Sequence, residues 1–389
     1  MDYVSRLFSF IPDKDLEAFA VDTQVNRYSK KLQGELLFKL LFYCLITEQD
    51  NSLRGMQSAL ESALFQAISN SDSTLSVAHS SISERLNTIR YQYFEKIFQH
   101  CVKAYKSSSD VVKKDIVRFD STIVSLSSKL LSIGYNLKGG DADKYRLLKF
   151  TIGYSDVPDC ICFYTEQTYN SENVALKETI ISNQKVKQNI TVFDRGITSR
   201  ANYDLLTESK VWFVSRIDPA AKHTVYKANE LNTNVETDTL TIVSDSWVYL
   251  YTMNQKRSTH PVRIIKAIKK SDGETISFIT NLKKMKSKEI AEIYKSRWQI
   301  EIFFKFIKQH LNFSHLLNRT ENGIKVVMYM TMTAAILLAH YKKQKGLKGF
   351  KIAKRKFAQD LERDIIYNIV LLCNGDANKA KRMLYQNTS

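Results

Sequence analysis

The stretch Tyr294-Lys-Ser-Arg297-Trp298-Gln-Ile-Glu301-Ile-Phe-Phe-Lys-Phe-Ile-Lys308 lies in a run, from Ser287 to about Leu311, that contains neither Gly nor Pro. Ser287 can cap the start of a helix and Glu289 suits the positive end of its dipole, so the run predicts one long helix. At roughly 100° per residue, positions seven apart nearly coincide around a helix axis. Tyr294, Glu301 and Lys308 have that spacing, and Arg297 falls one turn before Glu301. Four polar heads are therefore expected on one stripe, beside an apolar stripe of Ile293, Ile300, Phe304, Ile307 and Leu311. Two readings stand. A solvated face with i,i+4 ion pairs accounts for Arg297 and Glu301, but not for Tyr294 or Lys308. A carboxylate that holds a metal ion, with cations beside it for phosphates, accounts for all four.

Two, three and six residues separate Tyr294, Arg297, Glu301 and Lys308. That spacing resembles the Y-R-E-K signature of DDE transposases of the insertion sequence four (IS-four) family. The resemblance implies two upstream aspartates, each at a strand, in an α/β fold. The implied fold is a ribonuclease-H-like catalytic core with a β-rich insertion, preceded by an all-α N-terminal domain.

Composition bounds the function classes. The 389 residues suffice for two or three domains, and 44% hydrophobic content marks a globular chain. Fifty-seven Lys and Arg against 40 Asp and Glu leave a net charge of +17, which points to a polyanion and to nucleic acid first. No membrane role is expected, because the apolar run around Met328–Ala339 is short and holds Thr331 and Thr333. No signal peptide is visible. The five scattered cysteines read as reduced core residues of a cytosolic protein.

Along the chain, residues 1–108 read as a helical, DNA-binding N-terminal domain. Within it, the serine-rich break before Ser80-Ser-Ile-Ser-Glu-Arg85-Leu-Asn87 is either an ordinary helix connection or a turn and recognition helix, with Ser80, Ser81, Arg85 and Asn87 available for DNA. Residues 109–115 are a Ser/Lys/Asp linker, and 109–217 are the first part of the core. In Ile116-Val-Arg-Phe-Asp120-Ser-Thr-Ile-Val124, Val117, Phe119 and Ile123 share one face of a strand and Asp120 sits on the other. Aspartate disfavours strands, so Asp120 is either an edge-strand surface charge or a functional group. Strands over Leu147–Tyr154 and Cys160–Thr165 follow, then a helix after Ser171. Asn189-Ile-Thr-Val-Phe-Asp194-Arg-Gly196 is a short buried strand ending in a carboxylate, the place where α/β proteins put chemistry, although Asp194 could also cap the next helix. Residues 218–280 form a β-rich insertion, with separate strands over Leu240–Val243 and Trp247–Thr252 and a hairpin at Asp272-Gly273. There Trp247, Tyr249 and Tyr251 share a face, either as a small β core or as a surface on which a base stacks. Residues 281–341 complete the core with the signature helix. Residues 342–389 are a basic helical C-terminal tail, in which Lys342–Lys356 holds eight Lys or Arg and no acid.

Asp120, Asp194 and Glu301 together have the composition of an oxygen-ligand site for Mg²⁺ or Mn²⁺, with two ions suited to in-line phosphoryl transfer. The D-S-T context at Asp120 and the D-R-G context at Asp194 resemble the family's first and second motifs. The resemblance implies cut-and-paste DNA transposition, with hairpins formed at the transposon ends. It implies that Tyr294, Arg297 and Lys308 grip phosphates, with Trp298, or less securely Trp247, against a flipped base. It further implies double-stranded DNA partners (transposon ends and target), a homodimer on DNA, and a bacterial cytoplasmic protein associated with the nucleoid when bound. A nuclease of the same fold, or a domesticated DNA-binding protein without catalysis, are the competing classes.

Overall fold

A computed structural model of the chain describes residues 11–47, 52–69, 76–107, 116–126, 133–135, 146–183, 189–229, 235–252, 254–313, 318 and 320–385. The expected linker 109–115 lies outside the described residues. Two compact units emerge, Val111–Phe304 and, joined into one body, Met1–Asp110 with Lys305–Ser389.

The first unit is built on one mixed sheet. Its strands are β1 (Ile116–Leu126), β2 (Arg146–Tyr154), β3 (Pro158–Tyr164), β4 (Ile190–Phe193), β5 (Trp212–Ile217), β6 (His223–Ala228), β7 (Val235–Glu236), β8 (Leu240–Leu250), β9 (Val262–Lys269) and β10 (Thr275–Thr280). The order is β3-β2-β1-β4-β5-β10-β9-β8-β6, with β7 on β8. β1, β4 and β5 are parallel neighbours. Parallel neighbours need crossovers, and helices α7 (Glu172–Ser182) and α8 (Arg200–Glu208) supply them. Side chains alternate across the strands. Phe119, Phe193 and Phe213 thus pack with Leu176, Ile180, Tyr203 and Leu206 of those helices on one face. Val192, Val214 and Phe278 pack on the other face with Ile290, Ala291 and Ile293 of α9 (Ser287–Lys295).

Several expectations are corrected here. The strands of the β-rich segment 218–280 continue the central sheet: β10 pairs with β5, and the added strands share its core through Val248, Leu250, Val262 and Ile264. Leu240–Leu250 is one strand rather than two, with a register shift between Ile242 and Ser244. The hairpin at Asp272-Gly273 forms between β9 and β10, Gly273 taking φ +73° as such a turn requires. Of the three apolar residues expected on one face of β1, Val117 and Phe119 are buried and Ile123 is 43% exposed. The Ser287–Leu311 run is broken into α9 and α10 (Trp298–His310). Its start is fixed not by the Ser287 hydroxyl but by Glu289, whose carboxylate accepts the Lys286 amide at 2.8 Å.

The second unit is helical, with α1 (Asp13–Thr23), α2 (Gly34–Ile46), α3 (Leu53–Glu61), α4 (Ala63–Ser69), α5 (His79–Thr88), α6 (Tyr91–Ser107), α11 (Glu321–Gln344), α12 (Phe350–Leu372) and α13 (Ala377–Tyr385). α11 is longer than its apolar sequence run suggested, and by length and composition it could cross a membrane, but nearly all of its apolar stretch is buried inside this unit. Thr320 caps it by accepting the Gly323 amide at 3.1 Å. The expected tail is partly core: Ala353, Phe357, Leu361 and Ile365 are buried in α12, and so is Lys354. In α5, Arg85 and Asn87 are engaged inside the unit. Arg85 donates to the carbonyls of Leu32 and Val25, and the Asn87 side-chain oxygen accepts from Thr320. Of the four candidate recognition residues, Ser80 and Ser81 are exposed and, among the described residues, have no such engagement.

Candidate active site

β1 and β4 run parallel with Phe119 opposite Phe193. The next residue in each chain is an aspartate, so the sheet itself sets Asp120 beside Asp194. Asp120 accepts the Ser121 amide at 2.8 Å. Burial pushes its carboxyl up to about 6; the Ser121 amide and Arg297 oppose that rise, and the negative charges of Glu172 and Asp194 add to it.

Asp194 behaves oppositely. Tyr294 Oη donates to its Oδ1 at 2.8 Å. Burial pushes Asp194 up, but Tyr294, the Arg195 amide and the charges of Arg297 and Arg216 outweigh it and hold the carboxyl below its ordinary value. The Tyr294 hydroxyl is raised in turn, by burial first and then by Asp194.

Tyr294 lies in the last turn of α9 and Glu301 in the first turn of α10. The break between them has a visible cause. Arg118, buried in β1, donates through Nε to the Ser296 carbonyl at 2.8 Å and to its hydroxyl at 3.2 Å. The Ser296 hydroxyl also donates to the Ile293 carbonyl at 2.6 Å. The amides of Arg297, Gln299 and Ile300 then bond three residues back, to Tyr294, Ser296 and Arg297, which tightens the turn. Tightening preserves the stripe locally. Arg297 Nη2 lies 2.6 Å from Glu301 Oε1, and its guanidinium is 5.8 Å from the Tyr294 ring centre. Arg297 is only 13% exposed, so this is not a solvated surface pair. Burial draws its guanidinium down, and Tyr294, Asp194 and Glu301 more than reverse that. Its Nε is buried with no hydrogen-bond partner among the described residues.

Tyr294, Arg297, Glu301, Asp194 and Asp120 are thus linked by bonds and fields. Trp298 is 61% exposed, its ring outside any core. Lys308 lies seven residues beyond Glu301 in α10, past the point where the two units divide, with an exposed side chain.

Sequence reading missed a second ring of groups. Lys149, 1% exposed, donates to Glu172 Oε1 at 2.8 Å and to the Asn170 carbonyl at 2.6 Å. The other Glu172 oxygen accepts from Ser121 Oγ at 2.9 Å, next to Asp120. A Cβ on Gly196, two residues past Asp194, would come within 2.9 Å of Glu172 Cβ. Glu172 therefore touches both aspartate-bearing segments. The signal was available: a lysine inside the apolar strand Leu147-Leu-Lys149-Phe150 needs a buried partner.

The donor set is hard carboxylate oxygen, which suits Mg²⁺ or Mn²⁺ rather than a soft metal. Asp120, buried and raised, is a carboxylate that a cation would relieve, so Asp120 and Asp194 fit one. Glu301 is turned to Arg297, and among the described residues no three acidic, His or Cys side chains are gathered tightly enough to enclose an ion.

Residues 113–338 match the model of the transposase DDE domain. The chain belongs to that family. Among similar proteins, one from Sinorhizobium fredii, y4zB, named as a candidate transposase, is 28% identical over 50% of this chain and 53% of its own length. One from Synechocystis, named as a candidate transposase for insertion sequence element IS4SA, is 28% identical over 58% of this chain and 59% of its own. The chain thus spans little more than half the length of these relatives. A cryo-EM structure of piggyBac transposase, in a synaptic complex with hairpin DNA, superposes with a TM-score of 0.50 at 10% identity, covering 99% of this chain and 84% of that one. At that identity the likeness is one of fold, the ribonuclease-H-like DDE fold with its large mixed sheet and helices.

Proposed function

We propose that the chain is a DNA transposase of the IS-four type that cuts and rejoins DNA at transposon ends. The observation that carries this reading is the link between signature and aspartates: Tyr294 holds Asp194, and Arg297 joins Tyr294 to Glu301. Asp120, Asp194 and Glu301 are the ligand residues for two Mg²⁺ or Mn²⁺ ions, which when bound supply activation of the attacking oxygen and stabilisation of the leaving 3′-oxygen. The protein's own part is positional. Asp120, as a carboxylate, would be one of the ligands. Tyr294, with the Arg195 amide and the charges of Arg297 and Arg216, holds the Asp194 carboxyl below its ordinary value. Arg297 exchanges its contact with Glu301 for a DNA phosphate, which frees the carboxylate and satisfies the guanidinium with a better anion. Lys308 holds a further phosphate, and exposed Trp298 stacks a flipped base during hairpin formation. Residues 1–108 contribute end recognition, the active species is a dimer on duplex DNA, and it works at the bacterial nucleoid.

The test is incubation of the purified chain with duplexes carrying the inverted repeats that flank its coding sequence, with Mg²⁺, scoring nicks, hairpins and joined products. Asp120→Ala, Asp194→Ala and Glu301→Ala should each abolish cutting and leave DNA binding intact, since phosphate contacts supply the affinity. A variant that still cuts at the wild-type rate removes that residue from the site.

A further inference from the structure

The loop Asn26-Arg-Tyr-Ser-Lys-Lys31 joins α1 to α2 and carries three cations in its last five residues. None of Arg27, Lys30 and Lys31 is ion-paired to a carboxylate among the described residues. Tyr28 is 89% exposed and has φ +64°, a conformation that costs a non-glycine residue on the order of 1–2 kcal/mol. The Arg27 guanidinium stands 5.0 Å from its ring centre.

A loop of solvated cations would ordinarily be slack, and this one is fastened. Arg85 of α5 grips both of its ends, donating to the Val25 carbonyl at 2.6 Å and the Leu32 carbonyl at 2.9 Å. The Asn26 side-chain oxygen accepts the Gly34 amide at 2.7 Å, and Ser29 Oγ donates to the Leu32 carbonyl at 2.8 Å. Val25 and Leu32 are themselves buried. The backbone is thus fixed while every charged head stays in water. The loop forms one wall of a recess of about 550 Å³, whose opposite wall is the exposed side of α5 with Ser81, Glu84 and Thr88.

We infer that this strap, Arg27 to Lys31, is a DNA-docking element of the helical unit. It deepens the proposed function and rests on it. The three cations contact phosphates, the Tyr28 ring packs on a sugar or base edge, and the Ser81 hydroxyl donates to the backbone from across the recess. Holding the strap in its bound shape beforehand removes an ordering cost from binding, which gives the pinning by Arg85 and the strained Tyr28 a purpose. Glu84 sets a limit on the anion's approach, and the surrounding cations outnumber it. The recognition role looked for in Arg85 is thereby exchanged for a supporting one.

The experiment measures binding of the full chain to two labelled duplexes, one with the terminal inverted repeat and one scrambled, over a salt series without divalent metal. Arg27→Ala/Lys30→Ala/Lys31→Ala should weaken both alike and lower the salt slope by about 3, one for each lost phosphate contact. Tyr28→Ala should weaken binding with the slope unchanged. Thermal melts should not move, because these heads are in solvent. Unchanged affinity and slope in the triple variant overturn the inference. Asp120→Ala assayed for cutting separates the two claims. Wild-type cutting that Asp120→Ala abolishes, with an unaffected triple variant, keeps the transposase and removes the strap; no cutting by the wild-type chain, with a weakened triple variant, keeps the strap and removes the transposase.

Discussion

Tyr294 and Asp194, a hundred positions apart in sequence, meet in a 2.8 Å hydrogen bond from phenol to carboxylate. The bond helps, with the Arg195 amide and the charges of Arg297 and Arg216, to overcome the rise that burial imposes on the Asp194 carboxyl, and it ties the last turn of α9 to the end of β4. Tyr294→Phe deletes only the donor. A hydrogen bond to a charged group is worth about 1.5–3 kcal/mol, so single-turnover nicking should fall on the order of 10- to 100-fold. Equal nicking rates for variant and wild type would separate this bond from catalysis.

Asp120 gives a pH-dependent stability difference in metal-free protein. Its carboxyl moves from 3.8 to about 6 on folding, mainly through burial. At pH below the lower value the group is protonated in both folded and unfolded chains, and its stabilising protonation is fully present. As pH rises through the higher value that stability is lost, because the folded carboxylate must ionise while buried. Asp120→Asn cannot ionise. With EDTA present, its melting temperature should gain on wild type between those two values and the gain should level off above them. A difference that is flat with pH refutes the raised carboxyl.

Trp298 is 61% exposed, so its ring contributes little to folding. Trp298→Ala should melt within a degree or so of wild type, as surface substitutions usually stay inside about 0.5 kcal/mol. If the ring stacks a flipped base, hairpin formation should drop well below first-strand nicking, and an abasic site at the flipped position should restore part of it. Equal loss of both steps would deny it that role.

Buried Lys149 pairs with partly exposed Glu172 behind the aspartates. Glu172→Ala leaves Lys149 with the Asn170 carbonyl alone, and breaking such a pair from one side costs about 3–5 kcal/mol. The double variant Lys149→Met/Glu172→Met removes the stranded charge and should recover most of that melting temperature. Cutting should remain impaired, because Ser121, beside Asp120, loses its carboxylate acceptor and keeps only Thr151. Full recovery of cutting in the double variant would reduce the pair to a structural element.

By itself, the sequence singled out the candidate site residues. Asp120 inside a strand, Asp194 at the end of one and the Tyr294–Lys308 spacing were all legible, because each is a local departure from what a strand or helix prefers. Strand positions were readable for the same reason, since burial imposes a period along a few residues. Tertiary structure decided what depends on distant partners. The break at Ser296 comes from Arg118, far away in β1, and nothing local to the helix announces it. The widening of the sheet depends on β10 choosing β5 as its neighbour, a pairing between segments with ordinary strand patterns. Glu172 gained its place through Lys149, and Arg85 became a fastening because Val25 and Leu32 offered carbonyls. The union of residues 1–110 with 305–389 was likewise invisible, since apolar stripes on helices say that they bury but not against what. Periodicity is a property of neighbours along the chain; partner choice is settled only when the whole chain competes for the same buried surface.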